Sequence, residues 1–249
     1  MVGAPASADA VARARRLPRL GVGLHLNLVE GAPVLPPEKV PDILDSSGRF
    51  DENLARAGWR FFFGRHARRQ LAAEIHAQFA AFRATGLALD HVNAHRHMHL
   101  HPTVAELILA IGREFGLGAM RVPDEPISVL RRAVAAEGGR FRPPLYRPWI
   151  LLLRRRLRRA GLVLNDHLFG LAWTGAMTEE RMLRLVAALP GGTSELYCHP
   201  AVAQTPPLLR TMPRYRPVEE LAALLSPRLR AAIEEGGIEL VRYGDLPRG

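Results

Sequence analysis

Strand-like and helix-like stretches alternate along nearly the whole chain, and that order leaves few folds open. Gly21 to Leu28 (GVGLHLNL) reads as a buried strand behind turn glycines. His66 to Thr85 reads as a helix with Leu71, Ile75, Phe79 and Phe82 on one stripe and Gly86 closing it. Pro102 opens a second helix, with Val104, Leu107, Ile108, Ile111 and Phe115 facing inward and Gly116 ending it. Further strands are expected at Ala119 to Val122, Leu162 to His167, Ser194 to Cys198 and Ile238 to Arg242. Helices are expected at Ala6 to Leu17, Ser128 to Glu137, Trp149 to Ala160, Thr178 to Leu189, Val218 to Leu225 and Pro227 to Glu235. Such alternation argues for a parallel sheet, open or closed into a barrel, with helices outside. At 249 residues, one α/β domain spanning 1–249 is the expectation.

Between two of these elements lies Asp90 to Pro102, DHVNAHRHMHLHP, which holds five of the ten histidines. Read as a strand, it places Asn93, His95, His97 and His99 on one face and Val92, Ala94, Met98 and Leu100 on the other. Any one of these imidazoles can be explained by a hydrogen bond to backbone. As a group they point to a site. In parallel α/β folds ligands sit at the carboxyl ends of the strands. His25, His95, Arg121, Asp166, His167 and His199 all fall at or near such ends. Two neutral imidazoles and a carboxylate suit a divalent metal that polarises a carbonyl and acidifies water, with His25 and His95 as the candidate imidazoles. Asp166 is open between ligand, partner of a ligating histidine, and helix cap. His199, delivered beside Pro200, suits a general acid. Val29 to Phe50, with four prolines, reads as an ordered flap beside this site, anchored by Val34, Leu35, Ile43 and Phe50.

Composition closes off other chemistries. The single cysteine, Cys198, excludes a disulfide framework and a cysteine zinc cluster, and no Walker or dinucleotide glycine motif is present. No apolar run reaches the roughly 18 residues of a spanning helix, nor is there an apolar core of signal-peptide length near Met1, so the expected compartment is the cytoplasm. The net charge of +10 is carried almost wholly by arginine, with Lys39 the single lysine. Arg154, Arg155, Arg156, Arg158 and Arg159 lie on a helix whose Ile150, Leu153, Leu157 and Ala160 supply an inward stripe. They read as a solvated face, with peripheral membrane contact through Arg154, Arg155 and Arg158 as the alternative. Nucleic acid is not expected, because the arginine run lacks interleaved aromatics.

Three segments carry a resemblance. Gly23-Leu24-His25-Leu26-Asn27-Leu28 followed by Gly31 and Pro33, then Asn93-Ala94-His95-Arg96-His97-Met98-His99 with Pro102, then Cys198-His199-Pro200-Ala201, resemble the YdjC/ChbG-like carbohydrate deacetylases. The likeness covers essentially the whole chain. Arg121-Val122-Pro123 and Asn165-Asp166-His167-Leu168-Phe169-Gly170-Leu171 resemble most the branch associated with hopanoid biosynthesis. The resemblance implies a distorted (β/α) barrel of the polysaccharide-deacetylase-like type, a divalent metal such as magnesium or zinc, and hydrolysis of an N-acetyl group from an amino sugar. It implies that His25 and His95 are metal ligands and His199 catalytic. His97, His99, Arg121, Asp166 and His167 are expected to face substrate. The family's opening strand ends in an Asp-Asp-Phe-Gly motif, which supplies a third ligand. This chain carries no such motif, so the barrel is expected to lack its first strand and helix. A start assigned too far downstream is the favoured explanation, since a barrel without its first strand exposes two unpaired edges. As written, the polypeptide is expected to bind metal weakly and to be inactive. The alternative function is an inactive sugar-binding or membrane-associated scaffold. Oligomerisation stays open.

Overall fold

The computed structural model describes residues 1–133 and 145–247. In chain order the elements are α1 (Ser7–Ala14), β1 (Leu24–Leu26), α2 (Leu54–Phe63), α3 (Arg65–Ala84), β2 (Val92–Ala94), α4 (Pro102–Gly112), α5 (Ile127–Ala133), α6 (Arg147–Arg159), β3 (His167–Phe169), α7 (Glu179–Val186), β4 (Ser194–Leu196), α8 (Pro206–Thr211), α9 (Pro217–Leu224) and α10 (Pro227–Glu235). The chain forms two compact units. One comprises Met1–Arg121, Leu153–Leu164 and Arg242–Gly249; the other comprises Val122–Leu152 and Asn165–Val241.

In the first unit β1 and β2 run parallel, with Leu24 opposite Val92, His25 opposite Asn93 and Leu26 opposite Ala94. Bridges from Val92 to Met120 and from Ala119 to Val163 continue the parallel sense. Leu24, Leu26 and Val92 are fully buried, as expected for strands covered on both faces. Against them packs α3, and its predicted stripe of Leu71, Ile75, Phe79 and Phe82 is buried throughout. Gly86 ends the helix in the left-handed region, at a φ of 72° that glycine reaches without steric cost. The excursion from Val29 to Phe50 is ordered, as its apolar anchors suggested. Ile43 and Phe50 are buried, and two short 3-10 turns cover Pro37–Lys39 and Pro41–Ile43.

What fixes the start of that flap is a residue of α3. The buried Glu74 carboxylate accepts the backbone N–H groups of Val34 (2.8 Å) and Leu35 (3.0 Å), and the Gln78 amide at 2.8 Å. Glu74→Ala strands these donors, each of which costs about 1–3 kcal/mol when unmet. Urea unfolding should show a loss of about 3 kcal/mol, whereas a midpoint within experimental scatter of wild type would mean that water replaces the carboxylate.

The second unit pairs β3 with β4, again parallel, placing His167 opposite Ser194 and Phe169 opposite Leu196. Helices α5, α7, α9 and α10 enclose Phe169, Trp173, Met177, Met182 and Leu185. Thr178 takes the N-cap position of α7, but its hydroxyl caps nothing. Glu179 instead accepts from the Ser226 hydroxyl and from Arg228 (3.0 Å), joining α7 to the start of α10.

Several elements differ from expectation, each for a local reason. Among the described residues the strands form two two-stranded parallel sheets, not a closed barrel; the architecture is an α/β fold with small parallel sheets. The strand expected over Leu162 to His167 pairs in β3 only from His167 on. Asn165 explains this: its side chain donates to the Val122 carbonyl (2.9 Å) and accepts the Val122 N–H (2.7 Å), taking the place of a backbone ladder. Among the described residues the closing strand over Ile238 to Arg242 is absent. Asp245 there accepts the Arg242 N–H (3.0 Å) and pairs with its guanidinium, which favours a tight turn over an extended run. The helix expected over Ser128 to Glu137 is seen as α5, and its remainder lies outside the described residues. On α6 the stripe of Ile150, Leu153 and Leu157 is buried as predicted, but Arg154 is only 8% exposed. A membrane contact through Arg154 is therefore corrected: only Arg155 and Arg158 of that trio reach the surface.

Candidate active site

The histidine segment is a strand for three residues only. After Ala94 the chain turns into a 3-10 stretch, His95–Leu100, broken by left-handed backbone at Arg96 (φ 52°) and His97 (φ 54°). The alternation of faces therefore stops at Ala94, and His95, His97 and His99 do not share a face. Among the described residues only one other non-glycine has positive φ, Glu30 at 58°. Left-handed backbone costs a side-chain-bearing residue roughly 1–2 kcal/mol, and such strain persists where surrounding structure imposes it. Two of the three meet: the Glu30 carboxylate reaches Arg96 Nε at 3.0 Å and, beside it, His95 Nε2 at 2.9 Å. Its own backbone is held as well, because Asn27 Nδ2 donates to the Glu30 carbonyl at 2.8 Å. The sequence reading missed Glu30. It stands before Gly31 in a loop, and only its backbone strain and its partners mark it.

His25 is set by its strand partner. Its Nδ1 lies 2.5 Å from Asn93 Oδ1. An amide oxygen only accepts, so Nδ1 carries the proton and the lone pair is on Nε2. Behind Asn93 the chain of bonds continues: Asn93 Nδ2 donates to His91 Nε2 (3.4 Å), and His91 Nδ1 donates to Asp90 (2.9 Å). Asp90 is held in turn by the Gly244 N–H (2.9 Å), and the His91 ring packs on Tyr243 at 4.6 Å. Burial, offset in part by the Asn93 bond, pushes the His25 imidazole down to about 3. It is neutral at any ordinary pH. The His25 and His95 rings meet edge to face with centroids 5.8 Å apart, and Arg121 lies close enough to His25 to disfavour its protonation further.

The other histidines of the segment divide the remaining work. His99 is completely buried, its Nδ1 accepts the Ala94 N–H at 3.1 Å, and its Nε2 meets no partner. Burial holds it well below the usual histidine range. His97 faces His99 edge to face at 5.7 Å. His101 donates to the Gly58 carbonyl at 3.0 Å and serves α2.

The second unit carries the other predicted residues. Asp166 Oδ2 accepts the Thr193 N–H (3.0 Å) and closes the turn before β4. His167 opens β3. The His199 ring sits between Tyr197 (5.3 Å) and Tyr215 (5.0 Å), and the His199 backbone N–H, not its ring, donates to the buried Glu220. Burial, with Glu220 nearby, pushes the Cys198 thiol up to about 11, so it is no nucleophile. Sequence reading also missed Glu125, whose half-buried carboxylate accepts three successive N–H groups, from Gly170 (2.9 Å), Leu171 (3.1 Å) and Ala172 (2.9 Å), and shapes the loop after β3. Thus His25, His95 and Arg121 are gathered in one unit, while Asp166, His167 and His199 belong to the other.

As donors for a divalent ion the two imidazoles are chemically apt: His25 is neutral with Nε2 available, and His95 lies beside a carboxylate. Among the described residues no group of three His, Cys, Asp or Glu side chains is arranged to hold an ion.

Residues 1–235 match the family model described as YdjC-like protein. A carbohydrate deacetylase of Geobacillus stearothermophilus is 28% identical over 247 residues, 99% of this chain and 84% of its own length. The carbohydrate deacetylase of Mus musculus is 30% identical, covering 96% of this chain and 82% of its own length. A chitooligosaccharide deacetylase of Yersinia pestis is 29% identical over 92% of this chain and 79% of its own. Among solved structures, an Enterococcus faecalis protein named for cellobiose-phosphate cleavage superposes with a TM-score of 0.71 at 24% identity, over 98% of this chain and 84% of that one, a likeness of fold. With a family model spanning nearly its whole length, the chain belongs to the YdjC-like family.

Proposed function

We propose that this chain is a carbohydrate deacetylase that hydrolyses the N-acetyl group of an amino sugar to acetate and a free amine. The observation that carries the reading is the pairing of a neutral, Asn93-oriented His25 with a His95 held by the backbone-strained Glu30, in a chain whose relatives are named carbohydrate deacetylases. A magnesium or zinc ion held in part by His25 and His95 would polarise the acetyl carbonyl and acidify a water. Asn93 keeps the His25 proton on Nδ1, so that Nε2 faces the site as a lone pair. Glu30 fixes the ring of His95. Arg121 and His97 orient the sugar, and His99 acts through the loop that it braces. His199 gives a proton to the departing nitrogen, with Asp166 and His167 shaping the sugar's approach. The finer assignment, an amino sugar on a hopanoid lipid, rests on the Arg121–Pro123 and Asn165–Leu171 segments alone.

On this reading acetate and primary amine are released in equal amounts from N-acetylglucosamine oligomers by zinc- or magnesium-loaded protein, against the inactivity expected from the sequence without an Asp-Asp-Phe-Gly motif. No release with either ion would refute the activity. A second reading is a sugar-binding scaffold without turnover. Calorimetry separates them, since a scaffold binds the oligomer and leaves its acetyl groups in place. Asn93→Ala, which frees the His25 tautomer, should weaken zinc affinity by roughly 10–100-fold. Unaltered affinity would remove Asn93 from that role.

A further inference from the structure

The end of α2 presents three aromatic rings to water. Trp59 is 69% exposed, Phe62 54% and Phe63 59%. They form one patch: the Trp59 and Phe63 rings lie 4.2 Å apart and those of Phe62 and Phe63 4.8 Å apart. Nothing in the packing of α2 requires this, because the helix already buries Ala57 and Phe61 on its inner side. A contiguous exposed aromatic cluster marks a contact surface. Gly64 then turns the chain directly into α3, whose first turns carry Arg65, His66, Arg68 and Arg69. From Asn53 to Ala73 there are five arginines and no carboxylate. Asp51 engages Arg56 and Arg60, and Glu106 engages Arg68. Arg65 and Arg69, one helical turn apart and exposed, have no carboxylate partner among the described residues.

We propose that this α2–α3 corner is a docking surface for an anionic lipid bilayer. Tryptophan, whose ring carries one polar N–H, seats at the depth of the headgroups, phenylalanine buries its apolar ring at the acyl boundary beneath them, and arginines beside them meet lipid phosphates. Charge decides the occupant. A symmetric contact with a second copy would gather Arg65 and Arg69 of both copies into one interface, with no carboxylate between Asn53 and Ala73 to meet them. A single-stranded nucleic acid needs a groove that follows its backbone with ring faces open for stacking, whereas these rings pack against one another, Trp59 tilted on Phe63 and Phe62 edge to face with it.

The whole chain should co-sediment with phosphatidylcholine vesicles containing phosphatidylglycerol and stay in solution with pure phosphatidylcholine. Arg65→Ala with Arg69→Ala should lower partitioning by roughly 25-fold, about fivefold per arginine. Trp59→Ser with Phe63→Ser should lower it by at least about tenfold, with far-UV circular dichroism and urea midpoint unchanged, because these side chains are exposed. Equal partitioning of wild type and both variants overturns the proposal. So does an aromatic variant that converts a dimer to a monomer while partitioning is kept, which assigns the patch to self-association. Binding of single-stranded DNA lost in the same variants, without vesicle binding, assigns it to nucleic acid and overturns it equally.

Discussion

His95→Ala should lower kcat/KM for acetate release by at least about 10³-fold, and His25→Ala by a similar factor, because Lewis-acid activation of a carbonyl contributes several kcal/mol to such a reaction. The two residues are coupled. Their rings touch edge to face, one is fixed through Asn93 and the other through Glu30. The double variant should therefore be little worse than either single one, since removing one member of a unit already removes the unit's effect. His101→Ala is the internal control, because that ring serves the Gly58 carbonyl and not the pair. Full acetate release from His95→Ala would end the assignment of this site, whatever the control shows.

The second large effect concerns acid. His25 ordinarily titrates near 6.5, and burial moves it to about 3; burial moves His99 in the same direction. In the unfolded chain both imidazoles take up protons below pH 6.5, while in the folded chain they stay neutral. The unfolded state thus binds more protons, and stability falls as the pH drops from 6.5 toward 3. Each histidine contributes a slope approaching about 1.4 kcal/mol per pH unit, so the two together approach about 3 kcal/mol per unit in metal-free protein. Urea unfolding between pH 7 and pH 4 (on the order of three pH units) measures it. His25→Gln should remove about half of the slope, and an unchanged slope in that variant would show that His25 is protonated in the folded state.

Much of the architecture was legible because it rests on periodicity. The α3 stripe, the Gly86 stop, the Pro102 start and the α10 span from Pro227 to Glu235 follow from spacing and from backbone limits of glycine and proline, which are local. The site was legible as a list of residues and much less as an arrangement. Asp90 to Pro102 alternates like a strand, yet Arg96 and His97 leave the extended region, and period-2 reasoning has no place for an Arg96 that pairs with the Glu30 carboxylate of a distant loop. Glu30 and Glu125 stayed hidden for a related reason: their partners are a distant ring and a run of backbone N–H groups. Asn165 shows the converse. It was noticed as part of a motif, and its fit to both polar groups of Val122 is what shortens the strand.

The chain of bonds that orients His25 begins near residue 25 and is anchored by Tyr243 and Gly244. During synthesis β1 leaves the ribosome long before its anchor at Tyr243 and Gly244. Asp90 and His91 therefore wait for the C-terminal turn before the His25 proton is locked in place. Orientation of this imidazole is therefore set late: it reports that synthesis has passed Gly244.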